Sequence, residues 1–308
     1  MAKRAIWLCA VAIVIGLMGF GYIFFLLFED ISTPIPQTHR ADQTTPETLK
    51  RVVHVGVISR YTPTTIYRGY QPIMDYLNEV TPYRFDLKLG RSYWETVELL
   101  GSGRVMVAFL GRKVYLQARD RYGLTAILKP LNDDFQPMFQ DAVITRIGSD
   151  IHSLTDLVGR SVALPSQDSY SGNWLRAEGF AVGGPAKFPL QKVEHFEHHH
   201  TVVYQVLRGN FDAGVVRESV AEEYEGKGIT VVARAHPVPG SPIVVARQHD
   251  PAVVEAFTKA LLAVDPRKPE FAGRLVSWDV EFRSGFARAS DRDYDSLQAV
   301  LAPREGGR

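Results

Sequence analysis

The run Leu164-Pro165-Ser166-Gln167-Asp168-Ser169-Tyr170-Ser171-Gly172-Asn173-Trp174 gathers small hydroxyls and amides where an anion could be held. A strand signal ends at Leu164 and a helix begins near Gly172. The hydroxyls of Ser169 and Ser171 would then join free backbone N–H groups at a helix N-terminus in a neutral cradle for an oxyanion, with the helix dipole adding about 0.3–1 kcal/mol. Taken alone, this spacing suits a plain Ser N-cap with no ligand equally well. A second concentration of chemistry is Glu194-His195-Phe196-Glu197-His198-His199-His200. Its imidazoles and carboxylates are of the kind that hold zinc, with His195, His198 and His200 the candidate ligands. Neighbours in an extended segment point to opposite faces, however, so His198, His199 and His200 converge on one ion only if the chain bends. Histidines near an anion would also make its binding depend on pH between about 5 and 8, where imidazole titrates.

Catalytic patterns are missing. The sequence has no Gly-x-Ser-x-Gly elbow, no His-Glu-x-x-His, no phosphate-binding loop ending in Gly-Lys-Ser/Thr, and no Gly-x-Gly-x-x-Gly after its first strand. Asp133 and Asp134 stand beside Asn132, where turn formation explains them. Arg112 and Lys113, after the third strand, read either as charge at the mouth of a cleft or as solvated surface. Tyr67 and Tyr115 carry no stronger case than burial in a core.

The elements that must position these groups alternate in kind. Val52 to Ile58 reads as a buried strand, and Tyr67 to Val80 has apolar residues at helical spacing. Strands are expected at 84–89, 105–110, 141–146, 161–164, 213–216, 229–233 and 243–246. Helices are expected at 93–100, 114–121, 153–158, 202–208 and 251–263, and at the Gly172 turn. Such alternation predicts an α/β fold with a parallel or mostly parallel sheet covered by helices. In sheets of that kind ligands bind beyond the carboxyl ends of the strands, which is where the Ser169–Gly172 turn falls.

The chain has 308 residues, 35 Lys plus Arg against 34 Asp plus Glu, and one Cys. This composition excludes disorder and disulfide scaffolds, and its near-neutral charge argues against a nucleic-acid surface. From Ala5 to Phe28 no side chain is charged, about the length of helix that crosses a hydrocarbon core. Lys3 and Arg4 before it and Glu29 and Asp30 after it place residues 1–4 in the cytoplasm and the rest outside. The run is longer than a signal peptide's apolar region and ends in Phe24-Phe25-Leu26-Leu27-Phe28, so an uncleaved anchor is expected over 5–28. Cys9 then lies within the helix. Residues 29–50, rich in Pro and Thr, read as a tether.

The order of signals from Val55 to Pro266 resembles the substrate-binding proteins of phosphonate, phosphite and phosphate ABC transporters. The runs that carry the likeness are Tyr70-Gln71-Pro72-Ile73-Met74-Asp75-Tyr76-Leu77, Ser92-Tyr93-Trp94, Val107-Ala108-Phe109-Leu110-Gly111, Ile151 to Arg160, Asp168 to Gly172, His199 with Gly209 and Asp212-Ala213-Gly214, Pro239 to Val244, and Asp293-Tyr294-Asp295. The resemblance implies a two-lobed periplasmic binding protein of type II with hinge crossovers. Lobe one would comprise 51–143 plus 242–300, lobe two 144–241, and 301–308 would form a tail. It implies that Ser169, Tyr170, Ser171 and Gly172 hold the phosphoryl oxygens, with Tyr93 and His199 donating to them. Tyr170 replaces a family threonine, and its ring narrows the pocket or displaces the hydroxyl. A second family Tyr falls on Phe139, which lacks a hydroxyl. The Asp that pairs with the ammonium of aminoalkylphosphonates falls on Ser241, a neutral group that cannot offset the burial of a cation. Met106 stands where many relatives carry Asp.

The expectation from sequence is thus a monomeric, membrane-anchored, extracytoplasmic protein with no cofactor and no catalysis. It would capture a small phosphorus oxyanion (phosphate, phosphite or an alkylphosphonate) for an ABC permease. The alternatives are a membrane-anchored ligand sensor and a metal-binding accessory protein using the His195–His200 cluster.

Overall fold

In the computed structural model, residues 50–183 and 186–301 are described. The expected anchor at 5–28, Cys9, the tether up to residue 49 and all but the first residue of the tail lie outside them. Among the described residues no helix is long and apolar enough to cross a membrane.

The chain begins with β1 (Arg51–Val57), α1 (Pro63–Val80), β2 (Tyr83–Leu89), α2 (Tyr93–Gly101), β3 (Val107–Phe109), α3 (Arg112–Tyr122) and β4 (Thr125–Pro130). A short β5 (Met138–Phe139) then leads into β6 (Asp141–Arg146), a 3₁₀ turn at Leu154–Leu157, β7 (Ser161–Leu164) and α4 (Ser171–Ala177). β8 (Phe180–Ala181), β9 (Phe188–Pro189), β10 (Lys192–His195), α5 (His199–Leu207), β11 (Ala213–Arg217), α6 (Glu218–Tyr224) and β12 (Ile229–Arg234) follow. The chain closes with β13 (Val238–Pro239), β14 (Ile243–Val245), α7 (Pro251–Leu262), β15 (Phe286–Arg288) and α8 (Gln298–Leu301).

Two sheets result. The six-stranded sheet has the order β15-β4-β14-β3-β1-β2 and the five-stranded sheet β10-β7-β11-β6-β12. Both are mixed rather than mostly parallel. β1 runs parallel to β2 and β3, but β14 is antiparallel to β3 and β4, and β15 to β4. β7 runs parallel to β10 and β11, whereas β6 is antiparallel to β11 and β12. The reason is topological: the chain leaves the first sheet after β4 and returns to it at β14, and each strand that enters from the other sheet runs against its new neighbours. The two crossings, 131–140 and 235–242, pair with each other through β5 and β13.

Local chemistry explains why the elements fall where they do. α1 starts at Pro63, whose missing N–H is harmless at a first helical position, and the Thr62 side chain accepts the Thr65 N–H. Its buried residues Ile66, Tyr70, Ile73 and Leu77 recur at helical spacing and pack on the six-stranded sheet. β4 escapes a reading from pattern because Thr125–Pro130 is short and ends in Pro, yet its alternate residues Ala126, Leu128 and Pro130 are buried. Gly123, at φ +58°, ends α3 in the left-handed conformation that suits glycine. Gly214 serves a different need. A Cβ there would stand 2.6 Å from Val202 Cγ1, so its absence lets α5 lie close on β11.

Candidate functional site

A small cavity of about 20 Å³ lies between the two sheets, room for about one water-sized occupant. Its wall is made of the residues that follow strand ends and open helices. Ile58 and Arg60 follow β1, Gly111 lies between β3 and α3, and Arg112 is the first residue of α3. Ser169 and Tyr170 lie between β7 and α4, Ser171 is the first residue of α4, and Arg217 ends β11. Tyr93 is the first residue of α2, His199 the first of α5, and Ser241 comes from the second crossing. α5 starts three residues earlier than the apolar pattern suggests, which brings His199 out of the loop and onto the helix end.

Of the residues singled out from sequence, Tyr93, Ser169, Tyr170, Ser171, His199 and Ser241 meet in this cavity. Two do not line it. Gly172 faces an outer groove with His195, and the Phe139 ring packs toward Gly240, whose Cβ would meet it at 2.9 Å. The other histidines disperse. His195 Nδ1 lies 2.8 Å from the Pro165 carbonyl and His200 Nε2 lies 3.0 Å from Glu223, while His198 lies 3.9 Å from Glu197. Among the described residues no group of three or more His, Cys, Asp or Glu could hold a metal ion.

The hydrogen bonds set the polarity of the wall. Arg217 donates its backbone N–H to His199 Nδ1, so the proton of the neutral ring sits on Nε2, 3.5 Å from Ser169 Oγ. Burial, together with the charges of Arg217 and Arg60, holds the imidazole pKa well below its ordinary value. His199 is therefore held neutral at pH 7. Burial also pushes the Tyr93 phenol up to about 12, keeping it a protonated donor. Ser171 departs from its expected role. Its hydroxyl donates to Asp141 Oδ1 at 2.9 Å, so it must turn from Asp141 before it can donate to an anion.

Charged groups that sequence reasoning missed dominate the rest of the wall. Arg60 donates through Nη1 to Glu281 Oε2 at 2.6 Å, and Arg217 donates to Glu281 Oε1 and to Ser241 Oγ, the latter at 3.0 Å. Arg60 is 1% exposed, Glu281 2% and Arg217 7%, so this is a buried Arg–Glu–Arg bridge. Burial opposes the charge on Glu281, but Arg217 and Arg60 outweigh it and hold the carboxyl below its usual range. Arg112, read from sequence as mouth or surface, is buried. It sits 4.9 Å over the Tyr170 ring, 3.5 Å from Asp141 Oδ2, and donates to the Pro239 carbonyl. Lys113 is less enclosed and reaches the Gln167 carbonyl at 2.5 Å. Tyr115 and Tyr67 are not part of the wall: Tyr115 donates to Asp291, and Tyr67 is exposed.

Among the described helices that open on the cavity, α2 has a side-chain N-cap and the others do not. α1, α2 and α7 have side-chain N-caps from Thr62, Ser92 and Asp250. α3, α4, α5 and α6 have none, and each begins at a wall residue or directly after one. The Glu218 N–H that opens α6 donates to the Gln140 carbonyl, whereas the first N–H groups of α3, α4 and α5 add to a wall composed almost wholly of donors, the complement of an oxyanion that presents only acceptors.

Several solved structures share this fold. A binding protein component of a phosphonate ABC transporter from Pseudomonas aeruginosa superposes with a TM-score of 0.69 at 15% identity, over 82% of this chain and 86% of that one. PhnD1 from Prochlorococcus marinus, solved with methylphosphonate, gives a TM-score of 0.68 at 16% identity over 81% and 97%. A Xanthomonas citri protein solved with chloride gives 0.63 at 21% identity over 81% and 97%. The shared fold is that of periplasmic binding proteins. The family model of ABC-transporter phosphonate periplasmic substrate-binding proteins matches residues 55–294, and the chain belongs to that family.

Proposed function

We propose that the chain captures a small phosphorus oxyanion (phosphate, phosphite or an alkylphosphonate) in the cavity between its sheets and presents it to an ABC permease. The observation that carries this reading is the buried, donor-rich wall, in which Tyr93, Ser169, His199 Nε2–H and three guanidiniums surround room for one small group. Ser171 joins them once it turns from Asp141. The methylphosphonate bound by the Prochlorococcus relative supports the same ligand class. The halves around the two sheets, divided at the crossings 131–140 and 235–242 so that all of β6 falls in the second half, act as lobes that part at the paired crossings to admit the anion and close over it. Residues 5–28 anchor this monomeric binding unit to the outer face of the cytoplasmic membrane.

The test is thermal unfolding of the purified, dialysed protein with phosphate, phosphite, methylphosphonate, sulfate and Zn²⁺. A ligand present at about 1,000 times its dissociation constant adds about 4 kcal/mol to stability, a clear rise in midpoint. A rise with a phosphorus oxyanion is expected. A rise with Zn²⁺ alone, or with none of the anions, would overturn the reading.

A further inference from the structure

Arg60 is engaged at only one of its three nitrogens. Nη1 holds Glu281 and lies 3.5 Å from Ser241 Oγ, while Nε and Nη2 are buried without a hydrogen-bond partner. An orphaned guanidinium edge is unusual, because buried donors are nearly always paired and a charged one is the most costly to leave open. Nε–H and Nη2–H are parallel donors, the pair that grips two oxygens of a carboxylate or phosphoryl group. The carboxylates that hydrogen-bond to the guanidiniums already have a donor on each oxygen. Glu281 takes Arg60 on one oxygen and Arg217 on the other, and Asp141 takes Ser171 and Arg112. A third carboxylate, Asp279, feels the charges of Arg60 and Arg217 but accepts from the Glu281 N–H and takes no hydrogen bond from either guanidinium, so the Arg60 Nε/Nη2 edge is left open.

We propose that Arg60 is the ligand's charge anchor, its free Nε/Nη2 edge taking two oxygens of the anion side-on. The same arrangement excludes any phosphonate that carries an ammonium group. The inference rests on the phosphorus-oxyanion reading above and adds to it the residue that fixes the charge of the ligand. Arg60 reaches Ser241 and Arg217 also holds it, so a cationic substituent directed there meets two guanidiniums and no free acceptor. The ligand left by this exclusion is a compact oxyanion whose substituent is no more than a proton, an oxygen or a short alkyl group, admitted once the cavity of about 20 Å³ widens.

Calorimetric titration of the full chain and of Arg60→Lys and Arg60→Met tests this, with phosphate, phosphite, methylphosphonate, sulfate and 2-aminoethylphosphonate as ligands. The parent protein is expected to bind at least one phosphorus oxyanion and not 2-aminoethylphosphonate. Arg60→Met should bind that oxyanion about 100-fold more weakly, and Arg60→Lys about 10-fold more weakly, since lysine keeps the charge but cannot offer two parallel N–H groups. Arg60→Lys preserves a cation beside Glu281 and decides the matter if Arg60→Met fails to fold. Parental affinity in folded Arg60→Lys and Arg60→Met would overturn the anchor and leave the oxyanion reading intact. Equal binding of 2-aminoethylphosphonate and methylphosphonate would overturn the exclusion. A parent protein that binds no phosphorus anion would take both readings down, and one that binds sulfate more tightly would reassign the anion while Arg60 kept its part.

Discussion

At the scale of single residues the cavity depends on where a few protons sit, and two variants separate binding from folding. Ser171 donates to a fully buried Asp141 oxygen, so Ser171→Ala strands that oxygen and should cost about 1–3 kcal/mol of stability besides weakening the anion. The Ser169 hydroxyl makes only long contacts, at 3.4 Å to Ser171 and 3.5 Å to His199. Ser169→Ala should therefore unfold in urea within about 0.5 kcal/mol of the parent while losing affinity. If urea unfolding shows the two variants equally stable, the Asp141 bond does not matter as drawn. His199 gives a pH signature. Its folded pKa is depressed, so below the ordinary value of about 6.5 the unfolded chain takes up a proton that the folded chain refuses. The stability tied to its neutral state is present above that pH and lost as pH falls toward the folded pKa, by up to about 1.4 kcal/mol per unit. Unfolding midpoints of ligand-free parent and His199→Gln between pH 7.5 and 5 should converge on acidification. Parallel curves would mean that His199 titrates alike in both states.

At the scale of elements, binding is organised by the ends of helices, and here the sequence was partly legible. Periodicity located α1, α2 and α7 because each has a clear apolar stripe, and the hydroxyls of Ser169 and Ser171 stood out in a turn between a strand and a helix. Arg60, Arg217 and Glu281 gave no such signal. Arg60 and Glu281 are separated by 221 residues, and a lone charged residue in sequence looks like any solvated one until the fold buries it. Arg112 was misleading for the same reason. Mixed pairing in the sheets was equally hidden, since strand direction depends on the two crossings and not on the composition of β4 or β14. The uncapped helix ends yield a prediction of their own. Gly111 stands at the N-cap of α3 with φ −78° and ψ 150°, a conformation open to any residue. A Cβ there would lie 3.2 Å from Ile58 Cδ1, the movable end of a flexible side chain. Gly111→Asp would supply the missing cap and place a carboxylate where the anion is held. It should keep the thermal stability of the ligand-free protein and weaken anion binding roughly 100-fold, about 2.7 kcal/mol. An unchanged affinity, read by calorimetry, would move the ligand away from this helix end.

At the scale of the whole molecule, the question is how an anion reaches a cavity of about 20 Å³ that is bridged on several sides. Residues packed on the six-stranded sheet grip residues packed on the five-stranded sheet at separate points. Arg112 covers Tyr170, Lys113 reaches the Gln167 carbonyl, and Trp94 Nε1 donates to Asp168 at 3.2 Å. Glu281 holds Arg217 from behind. No ligand is needed for these contacts, so the closed arrangement has its own support, and entry requires that they break together. The two crossings are the places where such opening can occur, because only β5 and β13 pair there. The Trp94–Asp168 bond lies away from the cavity wall, so removing it alters closure without altering the site. Trp94→Phe keeps the aromatic packing and deletes one hydrogen bond, worth about 0.5–1.5 kcal/mol net. That energy is a shift of roughly 2- to 10-fold in the balance between closed and open forms. Stopped-flow measurement should show it mainly as faster dissociation of the bound oxyanion, with the association rate unchanged or raised. In small-angle scattering the ligand-free variant should have a larger radius of gyration than the parent, and both should converge when ligand is saturating. Dissociation as slow as in the parent would show that closure is held by the buried Arg217–Glu281 bridge and not by the rim, which would make the charges that bind the anion also the ones that shut the molecule around it.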